Sequence, residues 1–154
     1  MIRERGKVES MQFNRILCDV PCSGDATLRK NPDIWTKWNP AHDTNLNGVQ
    51  FRIAKRGAEL LTIGGSLVYS TCSFNPVENE AVILRLLKES EGALDLIDAS
   101  SLVPGLKFSL GMQKWELAAK DMSFYADFQA VPEQYHIILR PQMFPPEDSL
   151  WRCW

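Results

Sequence analysis

Short apolar runs alternate with amphipathic stretches along the first half of the chain. Residues 13–20 (FNRILCDV) form one apolar run, and residues 66–70 (SLVYS) form another. Runs of this length, bounded by turn residues, are typical of strands buried in a parallel sheet. Pro21 ends the first run, because proline has no N–H to donate to a strand ladder. The pattern therefore predicts two buried strands.

A stretch with helical periodicity lies between these runs. It is predicted to extend from about Asn45 to Ile63, and Gly64-Gly65 is expected to stop it. The residues predicted for its apolar face are Leu46, Val49, Ile53, Leu60 and Leu61. The residues predicted for its solvated face are Arg52, Lys55 and Arg56.

A second helix begins with a capping pattern. Asn75 suits the N-cap, Pro76 suits the first helical position, and Glu78 suits the third position of a capping box. The helix is predicted to continue to about Ser90, before Gly92. A strand, a helical crossover, a strand and a helix in this order indicate an α/β fold with parallel strands.

The remaining segments have weaker patterns. Residues 21–43 are rich in Pro, Asn and Asp and are predicted to form a loop, whose length suggests a functional role. Short strands are predicted at 94–98 and 135–139, and residues 104–132 are predicted to be irregular. The end of the chain, MFPPEDSLWRCW, predicts no element.

Length and charge limit the possible classes of protein. A chain of 154 residues suits one domain with a hydrophobic core. A net charge of −2 excludes a basic field over the whole surface, so nucleic-acid affinity must come from a local patch. No apolar run approaches the roughly 20 residues of a membrane helix. The charged start, MIRERGKVES, lacks the apolar segment of a secretory signal.

The cysteines are expected to be reduced thiols. They stand at positions 18, 22, 72 and 153, without a CxxC pair and with two isolated histidines elsewhere, so no metal site is predicted. Without a secretory signal, we expect the protein in the nucleus, including the nucleolus, or in the cytoplasm. Cys18 is interpreted as a core residue of the first strand, and Cys153 as incidental.

Polar side chains follow both predicted strands at their carboxyl ends. Asp19 and Cys22 follow the first strand, and Thr71, Cys72 and Ser73 follow the second. Neighbouring parallel strands lie about 4.8 Å apart, and sites form beyond their carboxyl ends. If the two strands are neighbours, Asp19, Cys22 and Cys72 converge on one pocket.

Two thiols and a carboxylate suit the methylation of carbon 5 of a cytosine. A thiolate that adds to carbon 6 makes carbon 5 able to accept a methyl group. A carboxyl group at ring N3 stabilises the charge that develops during this addition. A second acid or base then assists loss of the carbon 5 proton and expulsion of the thiolate.

Two blocks carry a family resemblance. DVPCSG at 19–24 and YSTCSFNPVENE at 69–80 resemble the signature blocks of the Nop/Sun family of RNA cytosine-5 methyltransferases. DATLRKNPDIWTKW, RIAKRGAELL and RPQMFPP are similar to the branch that acts on tRNA. The resemblance implies that Cys72 is the nucleophile and that Cys22 assists product release. It also implies that Asp19 holds the cytosine edge close to the cofactor, S-adenosylmethionine.

The resemblance also implies a partial fold. The family is similar to a Rossmann-like class I methyltransferase sheet, whose cofactor site lies mostly upstream of the DxPC block. We therefore expect residues 1–146 to be a partial catalytic domain and residues 147–154 an atypical tail. The cofactor-binding strands and the last strand pair are expected to be missing. The isolated chain is accordingly expected to bind S-adenosylmethionine weakly or not at all.

Other interpretations of these residues remain open. Cys72 could be a small buried residue, and Asp19 could cap a turn. Arg29 and Lys30, with Trp35 and Trp38 nearby, could bind RNA, or the loop could be solvated with its tryptophans packed on the sheet edge. The chain could also be a truncated, inactive fragment that serves as a binding module or does not fold alone. A thiol-redox protein is a further alternative, although the CxxxC spacing at 18 and 22 is not typical of one.

Overall fold

Two parallel strands and two long helices make up most of the part of the protein that the structure describes. The structure is a computed structural model that describes residues 11–98, 102, 109–110, 116–118, 121–126, 128–133 and 151–152. The main elements are β1 (Phe13–Asp19), α1 (Ile34–Lys37), α2 (Pro40–Glu59), β2 (Leu61–Ser70) and α3 (Glu80–Glu89). The predicted strand at 135–139, the second histidine, the two prolines at 145–146 and Cys153 lie outside the described residues.

The two strands are parallel, as the sequence predicts, and they are adjacent, which meets the condition for convergence of the residues that follow them. Asp19 at the end of β1 is the register partner of Ser70 at the end of β2. The pairing continues one residue further, because the Val20 N–H donates to the Ser70 carbonyl at 3.1 Å. The chain segments that leave both strands therefore start at the same edge of the sheet, and the predicted α/β fold class is confirmed.

Helix α2 covers one face of this sheet through a glycine. A Cβ atom at Gly57 would lie 2.7 Å from the Cys18 Sγ and 3.0 Å from a methyl carbon of Leu67. The missing side chain is what lets the helix backbone come into contact with both strands. On its other side α2 packs against α3, where the buried core consists of Phe51, Ala54, Val82 and Leu86. Cys18 is 5% exposed, which confirms its interpretation as a core residue.

The opposite face of the sheet is exposed, so the prediction of fully buried strands is wrong for this face. Leu17 and Val68 are register partners there, and they are 67% and 58% exposed. Parallel sheets are normally covered on both faces. Helix α2 packs on the other face, against both strands, and α3 packs against α2.

The boundary between α2 and β2 also differs from the prediction. The helix ends at Glu59, and the strand begins at Leu61 rather than at residue 66. Gly64-Gly65 therefore lies inside the strand and does not stop the helix. Between the pairs Phe13–Leu61 and Arg15–Ser66, β1 advances by two residues while β2 advances by five. The glycines accommodate this irregularity, and Gly64 has a φ of 75°.

The predicted apolar face of α2 is only partly correct. The buried positions are Gln50, Phe51, Ala54 and Gly57. Val49, Ile53 and Leu60 instead line an open apolar groove of about 410 Å³, together with Cys18. The helix thus has two apolar faces, and periodicity alone does not show which of them is covered. The solvated face is confirmed, since Arg52, Lys55 and Arg56 are exposed.

Four smaller predictions need correction. The predicted loop at 21–43 contains a 3₁₀ turn (Asp25–Thr27), α1 and the start of α2. Residues 94–98 form no strand. Two-residue strands interrupt the predicted irregular region at Ser109–Leu110 (β3), Leu117–Ala118 (β4) and Phe124–Tyr125 (β5), followed by a 3₁₀ turn at Phe128–Ala130. The tail also contains a strand, Trp151–Arg152 (β6), which pairs with β3.

No helix among the described residues is long and apolar enough to cross a membrane.

We predict opposite effects of alanine at two glycines of α2. Gly57→Ala should destabilise the protein by roughly 1–3 kcal/mol, because the new methyl group collides with Cys18 and Leu67. Gly48→Ala should stabilise it by about 0.5–1 kcal/mol, because a Cβ there meets only the Arg52 guanidinium at 3.8 Å. Urea denaturation followed by circular dichroism measures both. Equal effects of the two substitutions would contradict the proposed helix–sheet contact.

Candidate active site

The sulfur atoms of Cys22 and Cys72 are in contact beyond the carboxyl ends of the two strands. They lie 3.2 Å apart, although the residues are separated by 50 positions in the chain. The Cys72 backbone N–H also donates to the Cys22 Sγ at 3.3 Å. Cys72 is exposed and Cys22 is half-buried. The predicted convergence of the two thiols is therefore observed, and Cys72 is not a buried core residue.

Asp19 lies at the same edge of the sheet. Its Oδ1 accepts a hydrogen bond of 2.7 Å from the Ser70 hydroxyl, across the strand pair. Asp19 is exposed and Ser70 is half-buried. The carboxylate is thus held by a hydrogen bond from the neighbouring strand and is open to solvent. It lies at the end of β1, the strand that leads to Cys22.

The turn after Cys22 requires a glycine. Gly24 has a φ of 73°, in the left-handed region that side chains disfavour. A Cβ atom there would lie 3.9 Å from the Cys72 Sγ and 3.7 Å from the Cδ1 of Ile34. Two further bonds join the loops: Ala26 N–H to the Cys72 carbonyl at 3.3 Å, and Phe74 N–H to the Asp25 carboxylate at 2.7 Å.

The main role of Glu78 does not follow from the sequence pattern. Asn75 does cap a turn, since its Oδ1 accepts the Val77 N–H at 2.9 Å, but α3 begins only at Glu80. Glu78 is fully buried and points beneath the two cysteine loops instead of completing a capping box. Its carboxylate accepts hydrogen bonds from Ser23 and Ser73, each of which directly follows a cysteine.

The sequence contains candidate hydrogen-bond donors for Glu78, but their meaning is ambiguous. Two Cys-Ser pairs, at 22–23 and 72–73, supply hydroxyl groups at equivalent positions in the two loops. A buried carboxylate requires several such donors. However, the ordinary capping pattern explains a glutamate at position 78 equally well, and only the three-dimensional arrangement distinguishes the two roles.

Burial controls the protonation of Cys22. Desolvation, followed by the contact with the Cys72 side chain, raises the pKa of the Cys22 thiol to about 11, against an ordinary value of 9.0. Cys22 is therefore a neutral thiol at pH 7, able to donate its proton to an acceptor. Burial also raises the pKa of Tyr69, whose hydroxyl donates to the Glu78 carbonyl at 2.6 Å.

The basic residues of the loop lie in solvent. Arg29 and Lys30 follow the 3₁₀ turn, and both are exposed. Trp35 is 74% exposed, so it does not pack on the sheet edge. The loop approaches the thiols through Ile34, next to Trp35 in the same short helix. Within the described residues, no group of three or more His, Cys, Asp or Glu could hold a metal ion.

The raised pKa of Cys22 predicts its reactivity. The alkylation rate of Cys22 by iodoacetamide should keep rising from pH 9 to about 11, because its thiolate forms only in that range. In Cys72→Ala the profile should move to lower pH, because the neighbouring side chain contributes to the raised pKa. Peptide-resolved mass spectrometry measures the rate at each cysteine. A profile of Cys22 that is unchanged by Cys72→Ala would contradict the contact.

The same shift predicts how stability depends on pH. Because the pKa of Cys22 is higher in the folded state, its contribution to the free energy of unfolding is complete below about pH 9. That contribution is lost as the pH rises towards 11. Urea denaturation at several pH values should show this loss in the protein and a smaller one in Cys22→Ala. Equal losses of unfolding free energy in the protein and in Cys22→Ala would contradict the raised pKa of Cys22.

Comparison with known proteins places this site in a family. The chain matches the 16S rRNA methyltransferase RsmB/F family over residues 2–134. It is 58% identical over 147 residues to a tRNA (cytosine(34)-C(5))-methyltransferase of Drosophila melanogaster, covering 94% of this chain and 20% of the relative. It is 44% identical over 117 residues to a multisite-specific tRNA:(cytosine-C(5))-methyltransferase of Saccharomyces cerevisiae, covering 76% of this chain and 17% of the relative.

A bacterial relative is more distant. The ribosomal RNA small subunit methyltransferase F of Escherichia coli is 38% identical over 98 residues, covering 64% of this chain and 20% of the relative. The chain therefore spans about a fifth of the length of these relatives. The matches confirm the resemblance carried by the DVPCSG and YSTCSFNPVENE blocks, and the chain belongs to the RsmB/F family of methyltransferases.

Proposed function

We propose that this chain contributes the thiol site of an RNA cytosine-5 methyltransferase that acts on tRNA. The observation that carries the proposal is the 3.2 Å contact between the Cys22 and Cys72 sulfur atoms at the exposed carboxyl edge of a parallel strand pair. Two relatives are named for methylation of tRNA at carbon 5 of cytosine, which supports the substrate class. The reaction requires the target base to be unstacked or flipped so that it can reach the thiols.

Cys72 is the nucleophile in this proposal. Its exposure lets a base approach, whereas Cys22 is half-buried beside it. The Cys72 thiolate forms a bond to carbon 6, and the electron pair displaced in the ring makes carbon 5 nucleophilic. After carbon 5 has accepted the methyl group, its proton leaves, the double bond re-forms and the bond between carbon 6 and sulfur breaks.

Cys22 assists this last step. As a neutral thiol at pH 7, it can donate its proton to the departing Cys72 sulfur, 3.2 Å away. Donation stabilises the sulfur as its bond to carbon 6 breaks. The proton lost from carbon 5 passes to solvent water, and the Cys22 thiolate that remains is reprotonated from solvent.

Asp19 orients the base in this proposal. Its carboxylate is held by the Ser70 hydroxyl at 2.7 Å, on the edge from which both cysteine loops leave. A carboxyl group at N3 of the cytosine would stabilise the charge that develops when the thiolate adds to carbon 6. The anchoring by Ser70 keeps the group in place before the base arrives.

The methyl donor that we propose is S-adenosylmethionine, which would supply an electrophilic methyl group to carbon 5. The described residues do not by themselves fit this cofactor. At the carboxyl edge they offer Asp19, and Gly24 faces Cys72 instead of forming part of a glycine-rich loop. We therefore place cofactor binding mainly on parts of a longer protein, with Asp19 as the contribution of this chain.

Arg29 and Lys30 bind tRNA phosphates in this proposal. Their exposure supports this role, because phosphate contacts need accessible cations. The exposed Trp35 ring offers a surface on which a base could stack, next to the Ile34 contact with the thiol loop. We further propose a nuclear or cytoplasmic location, which the free thiols support.

One observation favours a second candidate function, that of a non-catalytic binding module. The sheet face with Leu17 and Val68 is exposed, as is expected of a fragment that packs against another protein segment. The two candidates differ in one respect: the module needs no covalent intermediate with RNA.

We predict that the 154-residue chain alone does not bind S-adenosylmethionine with micromolar affinity. The physical reason is that its described residues supply one carboxylate and no enclosing loop for the cofactor. Isothermal titration calorimetry tests this, with the Drosophila relative as the positive control. A micromolar Kd for the chain alone would contradict our account of the cofactor site.

We predict opposite effects of the two cysteines on covalent intermediates. The chain should be grafted into the corresponding segment of the Drosophila relative, and adducts with RNA should be separated on denaturing gels. RNA substituted with 5-azacytidine should trap a covalent adduct, because a ring nitrogen replaces carbon 5 and carries no proton to lose. Cys72→Ala should abolish this adduct. With ordinary RNA, Cys22→Ala should accumulate adduct, because release is slowed.

Cys18→Ala is the control for this experiment, since Cys18 is buried away from the pair and should leave trapping intact. An adduct that survives Cys72→Ala would show that Cys72 is not the nucleophile. If Cys22→Ala accumulates no more adduct than the parent, the role of Cys22 in release is wrong. Complete absence of adducts in every variant would favour the binding module.

A further inference from the structure

One buried carboxylate connects the two loops that carry the thiols. Glu78 is fully buried, and its two oxygens accept four hydrogen bonds. We propose that Glu78 is the positioning residue that holds Cys22 and Cys72 at the separation that their chemistry needs. This inference deepens the proposed function, because it explains how the thiol pair of that site is kept together.

The bonds of Glu78 divide between the two loops. From the first loop, the Ser23 N–H donates at 2.9 Å and the Ser23 hydroxyl at 2.5 Å. From the second loop, the Ser73 hydroxyl donates at 2.8 Å. Each serine directly follows its cysteine, so a shift of either serine moves the adjacent thiol. The carboxylate therefore links the two cysteine loops through Ser23 and Ser73.

Gln50 extends this connection to the residue before Cys22. Its Nε2 donates to the Glu78 carboxylate at 2.8 Å and to the Pro21 carbonyl at 2.9 Å. Gln50 is itself fully buried in α2. The segment around Cys22 is thus held on both sides, by Gln50 through Pro21 and by Glu78 through Ser23. Helix α2 provides the rigid support.

The charge of Glu78 makes this connection stronger than an ordinary polar contact. Hydrogen bonds to a carboxylate are about twice as strong as those between neutral groups. Direct bonds also join the loops, but those that involve the Cys22 and Cys72 sulfur atoms are weak, because sulfur is a poor donor and acceptor. The serine hydroxyls are 3.4 Å apart, too far for a strong bond of their own. The Glu78 carboxylate supplies the acceptor for both serine hydroxyls.

Glu78 acts through its neighbours and not on the substrate. Its side chain is inaccessible, so a base bound at the thiols cannot touch it. Among the contacts of the described residues, its carboxylate bonds to serine and glutamine and to neither sulfur. Removing it should change the distance between the thiols while leaving both thiols present.

The effective concentration of the two thiols measures this distance directly. The purified 154-residue chain is equilibrated with glutathione and glutathione disulfide at fixed pH. Glutathione disulfide accepts two electrons from the chain, which forms a Cys22–Cys72 disulfide and releases two glutathione thiols. Acid quenching, alkylation and peptide mapping give the oxidised fraction. The same measurement in concentrated urea gives the value for a flexible chain, on the order of millimolar.

We expect the effective concentration in the native chain to exceed the urea value by at least about tenfold. Glu78→Gln should lower it by roughly tenfold or more, because the amide nitrogen cannot accept the bonds that the carboxylate oxygen accepted. Ser23→Ala and Ser73→Ala should each lower it by a smaller factor. Adding Ser73→Ala to Glu78→Gln should cause little further change, since both act through the same bond.

Two controls separate positioning from general stability. Glu80→Gln removes another largely buried carboxylate, in the first turn of α3, and should leave the effective concentration unchanged. Gly57→Ala lowers stability at the contact between α2 and the sheet, and it should also leave this concentration unchanged while the chain is folded. Circular dichroism checks the fold of each variant.

The proposal is overturned if folded Glu78→Gln retains the parent value within about twofold, or if Glu80→Gln and Gly57→Ala lower it equally. If Glu78→Gln fails to fold, Ser23→Ala and Ser73→Ala decide. A lower effective concentration of the thiols in these folded variants supports the proposal, and an unchanged effective concentration in both refutes it. The readout is thiol proximity and not methyl transfer. A failure here is therefore distinguishable from a failure of the proposed enzymatic function.

Discussion

The parallel pairing of β1 with β2 is the constraint on which the rest of the site depends. Asp19 and Ser70 are register partners, so both strands end at the same edge of the sheet. Cys22 and Cys72 each follow within three residues of these ends, which leaves little chain length to separate them. In an antiparallel arrangement the two segments would leave from opposite edges. The chemistry that we propose is therefore a consequence of strand direction.

Strand pairing brings the loops near each other, but it does not fix the distance between the thiols. Bonds to Glu78 join the loops, and direct bonds supplement them: Phe74 N–H to the Asp25 carboxylate, Ala26 N–H to the Cys72 carbonyl and Cys72 N–H to the Cys22 sulfur. The buried carboxylate follows the strand β2 by eight residues, in the turn that precedes α3. Helix α2 and the turn before α3 thus contribute to the site indirectly, since they carry Gln50 and Glu78, the groups that hold the loops.

Local patterns along the chain were enough to predict much of this arrangement. The two strands and their parallel direction follow from the sequence pattern, and the convergence of Cys22 and Cys72 follows once the strands are neighbours. The long-range role of Glu78 does not follow, because its position also satisfies a capping box. Gly64-Gly65 has the same ambiguity: a glycine pair after an amphipathic helix indicates a stop, yet here it accommodates a strand irregularity. Local rules fail where tertiary contacts select among allowed roles.

The burial of the strands shows another limit of prediction from pattern. The apolar run in β1 indicates a strand covered on both faces, but Leu17 lies on a face that the described helices do not cover. Periodicity reports what a residue is suited to contact, and not whether a partner is present. For the same reason, Val49 and Ile53 of α2 line an open groove instead of a packed core.

The capture of one trivalent arsenical by two thiols tests the central claim most directly. Phenylarsine oxide condenses with two thiols and releases one water, so it bridges them only if they lie close together. In the folded, reduced chain we predict one arsenic atom bound between Cys22 and Cys72, located by mass spectrometry of linked peptides. Separate modification of the two cysteines, or arsenic bridging any other pair in the native protein, would contradict the account.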